Sequence, residues 1–168
     1  LALRTIEIEG ASRLDPAALQ AALEPQLGTP LALLDGDAVE RELGGFPVIE
    51  SFVTEAVPPS TLVVRIVERQ PVLAIPTDAG WDLVDPAGVT VLTVADRPAD
   101  LPEIAVPDGD LDSAVFRNAA AVVETLDAEL RARVVRVDAT TLDDVTLLLD
   151  GVGQTVVWGG PDRSAAKA

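Results

Sequence analysis

Acidic side chains are the only groups in this sequence that could carry out acid–base chemistry. The chain has no histidine and no cysteine, and its single lysine is Lys167. This excludes histidine-based triads, thiol nucleophiles and zinc sites made of imidazole or thiolate ligands. Two carboxylate pairs remain, Asp82 with Asp85 and Asp143 with Asp144. With 28 acidic residues in the chain, some such pair is always available, and we interpret these as surface or turn carboxylates.

The segment Asp108–Asp112 resembles the start of a calcium-binding loop. An EF-hand loop needs Gly at its sixth position and Glu at its twelfth, where this sequence has Ser113 and Ala119. We therefore interpret the segment as a loop before a helix, with Asp110 or Asp112 as the N-cap. Aromatic residues make up only 3% of the chain, which disfavours a sugar-binding enzyme. The sequence predicts no catalytic residue, no metal and no cofactor.

Charge and composition limit the possible partners. Hydrophobic residues make up 48% of the chain and charged residues 24%, and the net charge is −16. Such a surface repels nucleic acid, because phosphates are bound chiefly by Lys and Arg. No segment has the roughly 20 consecutive apolar residues of a membrane-spanning helix. Because the chain also has no methionine, we expect Leu1 to be an internal residue of a longer protein whose membrane anchor lies outside this sequence.

The fold class predicted from the hydrophobic pattern is α+β, with two domains at 1–70 and 71–168. Strands alternate apolar and polar residues, and helices repeat apolar residues every three or four positions. The first domain reads β-α-α-β-β, with helix N-caps at Asp15 and about Asp37 and the second helix ending at Gly44-Gly45. Its strands are predicted at Leu1–Glu9, Val48–Val57 and Leu62–Glu68.

The second domain is predicted to be a mixed, strand-rich domain with one long helix. An apolar stripe places that helix at Leu111–Leu130, and Leu101-Pro102-Glu103 is predicted to be a loop. Pro161–Ala168 resembles the first turns of a further helix. The strands are predicted at Val72–Ile75, Trp81–Asp85, Val89–Val94, Arg133–Asp138, Asp144–Leu149 and Thr155–Trp158.

These elements resemble a known family over nearly the whole chain. The β-α-α-β-β unit is similar to a POTRA domain, and the chain resembles the FtsQ/DivIB family of bacterial cell-division proteins. Five segments carry the resemblance: Ile8-Glu9-Gly10, Pro59-Ser60-Thr61-Leu62, Glu68-Arg69-Gln70-Pro71, Leu83–Gly88 and Trp158-Gly159-Gly160.

The resemblance implies a scaffold without enzymatic activity, anchored in the cell membrane by one transmembrane helix and exposed outside the cytoplasm at the division septum. Its implied partners are FtsB and FtsL, and further FtsW/FtsI and FtsK, which connect it to septal peptidoglycan synthesis. In that family the helix after the Gly159-type turn leads to a final edge strand that carries the main FtsB contact. Since this sequence ends at Ala168, we expect that strand to be missing from it.

Strand edges are the predicted partner sites, because an edge presents unpaired N–H and C=O groups that another strand can complete. Glu50 and Glu55 leave the alternative that charge simply blocks pairing at the first edge. For Trp81 and Trp158, packing in the core or on a sheet face is the default, with an interface role as the alternative. The predicted residues are Val48, Glu50, Phe52 and Thr54 at one edge and Gln154, Val156 and Trp158 at the other.

Two other functions compete with a division scaffold. A POTRA-bearing component of protein transport or outer-membrane assembly is the second, although repeated POTRA units would favour it and the sequence contains one. A carboxylate enzyme is the third, and the missing histidine and scarce aromatics count against it.

Overall fold

The structure is a computed structural model that describes residues 1–151 and 153–158. It divides into two compact units, Leu1–Arg69 and a second unit that begins at Gln70. Helices and strands occur in both, which confirms the α+β class. Within the described residues, no helix is long and apolar enough to cross a bilayer. The Gly159-Gly160 turn and the helix predicted at Pro161–Ala168 lie outside the described residues.

The first unit has the predicted β-α-α-β-β order. Its strand order is β1-β3-β2, with β3 in the centre, parallel to β1 and antiparallel to β2. A bulge in β2 between Ile49 and Ser51 shifts its register with β3. Two short 3₁₀ turns, Glu24–Gln26 and Leu31–Leu33, connect the helices. The elements are β1 Thr5–Glu9, α1 Pro16–Leu23, α2 Gly36–Leu43, β2 Ile49–Val57 and β3 Thr61–Glu68.

Side-chain caps start both helices of this unit. Asp15 accepts a hydrogen bond from the Ala17 N–H, as predicted, and Pro16 occupies the first helical position. The second cap was predicted wrongly. Asp35 accepts from the N–H of Asp37, so the helix begins one residue before Asp37 and Asp37 lies in its first turn.

The helices cover one face of the three-stranded sheet and form a core with it. α1 contributes leucines four positions apart and α2 an apolar pair with the same spacing, the spacing that puts side chains on one helix face. The central strand supplies alternate residues. The core consists of Leu3, Ile6, Leu19, Leu23, Val39, Leu43, Ile49, Leu62, Val64 and Ile66.

Glu68, the last residue of β3, ties the loop between β1 and α1 to the sheet. Its carboxylate accepts hydrogen bonds from the backbone N–H groups of Ser12 (2.9 Å), Arg13 (2.9 Å) and Leu14 (3.0 Å) and from the Ser12 hydroxyl (2.8 Å). Its side chain is only 2% exposed. Burial alone raises the pKa of a carboxyl group, but these donors stabilise the charged form and lower the pKa of Glu68 to about 2.

The second unit has one seven-stranded sheet in the order β10-β9-β8-β7-β4-β5-β6. The β4–β7 and β7–β8 pairs are parallel, and the remaining pairs are antiparallel. Two helices pack on one face over a core that includes Phe116, Val122, Val137, Leu147 and Trp158. The elements are β4 Leu73–Thr77, β5 Gly80–Val84, β6 Thr90–Val94, β7 Glu103–Ala105, α3 Ala114–Thr125, α4 Ala128–Arg133, β8 Val134–Thr141, β9 Asp144–Leu149 and β10 Thr155–Val157.

The long helix predicted at Leu111–Leu130 is wrong in its extent. Ser113, rather than Asp110 or Asp112, caps α3, and the chain leaves the helix at Leu126, whose backbone is extended. Asp127 accepts from the N–H of Leu130 and starts α4 as a separate helix. The Asp127 side chain gives the Leu130 N–H a partner other than the carbonyl it would bond to in a continuous helix. This explains why the helix breaks although the apolar stripe continues.

The loop predicted at Leu101-Pro102-Glu103 is also partly wrong. Glu103 begins β7, a three-residue strand between β4 and β8. Ile104 is its only buried residue, and a segment this short has no recognisable alternation. Long-range parallel pairing, which the local sequence does not encode, forms this strand.

Replacing Glu68 with Gln should remove the stability that its charged form provides. The lowering of its pKa from 4.5 to about 2 corresponds to roughly 3 kcal/mol at neutral pH. Because the pKa is lower in the folded state, this contribution is complete above about pH 4.5 and is lost as the pH falls towards 2. Chemical denaturation across this range should show the difference between wild type and Glu68→Gln shrinking with falling pH. Glu24→Gln, at an exposed site, is the control, and an equal effect of both changes would contradict the prediction.

Gly10→Ala should destabilise the first unit by about 2–4 kcal/mol. Gly10 has φ +86°, and a methyl group there would collide with the Ile66 carbonyl oxygen of the central strand. Gly28→Ala is a matched control, since Gly28 has φ +87° but open space around its missing side chain. That change should cost only about 1–2 kcal/mol, from the backbone conformation alone. Denaturant unfolding measures both, and equal losses would show that the collision is relieved.

Candidate partner-binding edges

Two strands with predicted partner residues lie at sheet edges. β2 is an outer strand of the first unit's sheet and β10 an outer strand of the second unit's sheet. Among the described residues, neither strand pairs with anything on its outer side. The opposite edges of the two sheets are β1 and β6.

The register shows which backbone groups of β2 point outwards. The Ser60 carbonyl accepts from the N–H groups of Arg4 and Thr5, at the start of β1. Since alternate residues of a strand bond to opposite neighbours, the even-numbered residues of β3 face β1 and the odd-numbered ones face β2. Residues 51, 53, 55 and 57 of β2 pair with the odd-numbered residues 67, 65, 63 and 61. The N–H and C=O groups of Phe52, Thr54 and Ala56 therefore point to the open edge.

The same side of β2 borders a groove of about 550 Å³. It lies between the C-terminal end of α2 and the start of β2, and five of its ten lining residues have apolar side chains. Phe52 projects to the helix-covered face, because it lies opposite the buried Ile66 of β3. The apolar lining residues are Leu43, Phe46, Pro47, Ile49 and Phe52.

Carboxylates border this groove. Glu40 and Glu50 line it, and both residues are exposed. Arg69 is the one basic residue among its lining residues, and it is already engaged. Its Nε donates to the Pro47 carbonyl at 2.9 Å and its backbone N–H to the Val48 carbonyl at 2.7 Å. Arg69 thus holds the chain at the entrance of β2, and the two carboxylates outnumber its positive charge, so the net charge of the groove is negative.

The face of this sheet away from the helices carries an ion-pair ladder across all three strands. Arg65 of β3 lies between Glu9 of β1, at 2.8 Å, and Glu55 of β2, at 2.6 Å. The hydrogen bonds that Arg65 donates to Glu55 and Glu9 stabilise its charged form and raise its pKa. Val53 and Val67 lie on the same face and are exposed. Because all three charges are half exposed, their contribution to stability is small.

Hydrogen bonds also identify the outward groups of β10. The Leu149 N–H donates to the Gln154 carbonyl at 2.9 Å, and the Trp158 N–H donates to the Val145 carbonyl at 2.7 Å. Residues 154, 156 and 158 therefore face β9, and the N–H and C=O groups of Thr155 and Val157 point to the open edge. The Val157 side chain is 72% exposed.

The predicted residues of the first edge lie together around the start of β2. Val48 and Phe52 are half-buried, and Glu50 and Thr54 are exposed. Of these four, Phe52 and Thr54 present outward backbone groups. Glu50 occupies the bulge, where the register with β3 shifts.

The predicted residues of the second edge are arranged differently. Gln154 is exposed, Val156 packs against the core, and Trp158 is 3% exposed within it. The structure thus gives Trp158 a packing role, and the edge presents Thr155 and Val157 instead. The backbone groups of the predicted set face β9, whereas the two-residue period of the strand directs those of Thr155 and Val157 to the open edge.

Asp82, Asp85 and Asp144 of the candidate carboxylate pairs accept hydrogen bonds within the fold. Asp85 is 4% exposed and accepts from the N–H groups of Ala87 and Val89, which fixes the turn between β5 and β6. Asp82 accepts from the Thr93 hydroxyl at 2.6 Å. Within residues 1–151 and 153–158, no cluster of acidic residues could hold a metal ion.

The segment considered for calcium forms a turn. Asp110 accepts from the N–H of Asp112, and Ser113 caps the helix that follows. Trp81 is half-buried beside Leu83 and Leu101 on the face of the second sheet opposite α3 and α4, with the Arg97 guanidinium 6.0 Å from its ring.

Comparison with known proteins identifies the family. A family model described as "POTRA domain, FtsQ-type" matches residues 1–69. "Cell division protein FtsQ" of Streptomyces bingchenggensis is 32% identical over 100% of this chain and 66% of its own length. The protein of the same name from Mycolicibacterium smegmatis is 31% identical over 100% of this chain and 50% of its own length.

A solved structure also matches, the major extracytoplasmic domain of the trans isomer of DivIB from Geobacillus stearothermophilus. It has 16% identity and a TM-score of 0.44, over 60% of this chain and 86% of that chain.

The first unit is thus an FtsQ-type POTRA domain. The chain belongs to the FtsQ/DivIB family of bacterial cell-division proteins. It spans 50% to 66% of the length of the two relatives described above. The predicted family and the predicted POTRA fold are both confirmed.

Amide hydrogen exchange should alternate along β2. The N–H groups of Val53 and Glu55 bond to β3, whereas those of Phe52 and Thr54 point outwards. We expect the outward pair to exchange at least about tenfold faster, because only the inward groups need strand separation to exchange. Exchange measured residue by residue by NMR tests this pattern. Similar rates for all four amides would contradict the assignment of the open edge.

Proposed function

We propose that this chain is the extracytoplasmic part of a non-enzymatic division scaffold, anchored by a single transmembrane helix at the septum. In this proposal it binds FtsB and FtsL and connects them to septal peptidoglycan synthesis, with FtsW/FtsI and FtsK as further partners. Family membership supports the role in division. The proposed organisation is a POTRA domain at 1–70 and a β domain at 71–168.

The observation that carries the proposal is the pair of open strand edges. Phe52, Thr54 and Ala56 on β2, and Thr155 and Val157 on β10, have backbone groups directed away from their sheets. A partner strand would gain about 0.5–1.5 kcal/mol net for each main-chain hydrogen bond, so several bonds give a useful affinity. Side chains beside the edge would then select the partner.

We assign an FtsB-type contact to the β10 end of the second unit, the part of the described chain that leads to the final edge strand which the family resemblance implies. Within the described residues, β10 has three residues and pairs with β9. Thr155 and the exposed Val157 lie on the face opposite Trp158, where a partner can contact them without disturbing the core. The β2 edge is the second assigned site.

Proline substitutions should separate the two sites. Val157→Pro removes an outward N–H of β10, and Thr54→Pro removes one of β2, while the bonds within each sheet remain. We expect Val157→Pro to weaken binding of a purified FtsB ectodomain at least about tenfold and Thr54→Pro to leave it unchanged, as measured by isothermal titration. Val157→Thr retains the N–H and should bind like wild type.

The opposite result, loss of binding only with Thr54→Pro, would move the FtsB contact to the POTRA edge. Wild-type affinity in both proline variants would contradict binding by strand addition. Circular dichroism of each variant confirms that the fold is retained. Titration of an FtsL ectodomain against the same proteins assigns the second partner.

A further inference from the structure

The groove beside β2 has a more specific chemistry than an ordinary strand edge. We propose that it binds an extended peptide segment that pairs with β2 and presents apolar side chains and a central Arg or Lys on one face. This inference rests on the proposed function, since it names the kind of partner that the β2 edge accepts.

The backbone of β2 is oriented to pair with an added strand. Phe52 and Thr54 direct their N–H and C=O groups outwards, so an added strand would pair along this part of β2. Alternate side chains of that strand would point to the helix-covered face, because side chains in a sheet alternate with period two. On that face they would enter the groove rather than solvent.

The groove has room for the side chains of an added strand. Its volume of about 550 Å³ accommodates several side chains. Phe46 and Phe52 are half-buried and belong to the edge of the first unit's core. Leu43 and Ile49 beside them are buried and held by the same core. Apolar residues of the partner would therefore extend an existing hydrophobic core, at about 25 cal/mol for each Å² of apolar surface removed from water.

The charged side chains at the groove favour a basic partner. Glu40 and Glu50 border the groove and outnumber the single positive charge of Arg69, whose Nε donates to the Pro47 carbonyl. An incoming acidic residue would meet two carboxylates, while an Arg or Lys would be attracted by both. The whole chain adds to this preference with its net charge of −16, which steers basic partners towards it. Charge complementarity thus selects a basic segment.

A synthetic peptide tests the proposal against the whole 168-residue chain. The probe is Thr-Leu-Thr-Arg-Thr-Val-Thr, which places Leu, Arg and Val on one face of a strand in either direction. Its control replaces the Arg with Glu and leaves every other residue unchanged. We expect the Arg peptide to bind at least about tenfold more tightly, with an affinity that falls as salt is added.

Matched variants locate the site. The double change Glu40→Gln and Glu50→Gln should reduce the preference for the Arg peptide to about twofold or less. Glu7→Gln removes the same kind of charge from β1, the other edge of this sheet, and should leave the preference intact. Amide NMR shifts caused by the peptide should lie on Phe52, Thr54 and the end of α2.

Equal binding of the two peptides, or shifts confined to β10, would overturn the inference. An equal effect of Glu7→Gln and the double change would also overturn it, because the preference would then reflect only net charge. If FtsB binds through β10 and the Arg peptide does not bind, this inference fails and the proposed function stands. If the Arg peptide binds at β2 but neither FtsB nor FtsL binds the chain, the groove stands and the partner assignment fails.

Discussion

The first unit depends on one buried carboxylate at the end of its central strand. Glu68 satisfies three consecutive backbone N–H groups of the segment before α1, and the next residue, Arg69, holds the chain where it enters β2. β3 is the only strand of this sheet with two neighbours. The C-terminal end of β3 therefore fixes both the start of α1 and the start of the edge strand β2.

Much of the first unit could be predicted from sequence because its signals are local. Asp15-Pro16 marks a helix start, and the alternation of Leu62, Val64 and Ile66 marks a strand buried on one face. The prediction of Asp37 as a cap was wrong because two aspartates stand two residues apart and either could begin the helix. Only the hydrogen bond from Asp37 to Asp35 distinguishes them.

The second unit and the site depend more on pairing between distant residues. β7 is a strand because β4 and β8 flank it, and the helix breaks at Leu126 because Asp127 caps a new one. Sequence reasoning placed the edges at the right strands, but it could not determine which residues of β10 face outwards. That required the register with β9, and the groove required α2 to lie beside β2.

The bulge in β2 and its acidic residues also bear on self-association. If β2 strands from two molecules paired in antiparallel fashion about Glu55, Glu55 of one would lie opposite Glu55 of the other. Like charges facing each other across strands are unfavourable, and a bulge twists an edge away from flat pairing. The charge of Glu55 and the bulge therefore disfavour pairing of β2 with a second copy in this register, while the outward groups of Phe52 and Thr54 remain available to a strand of different charge.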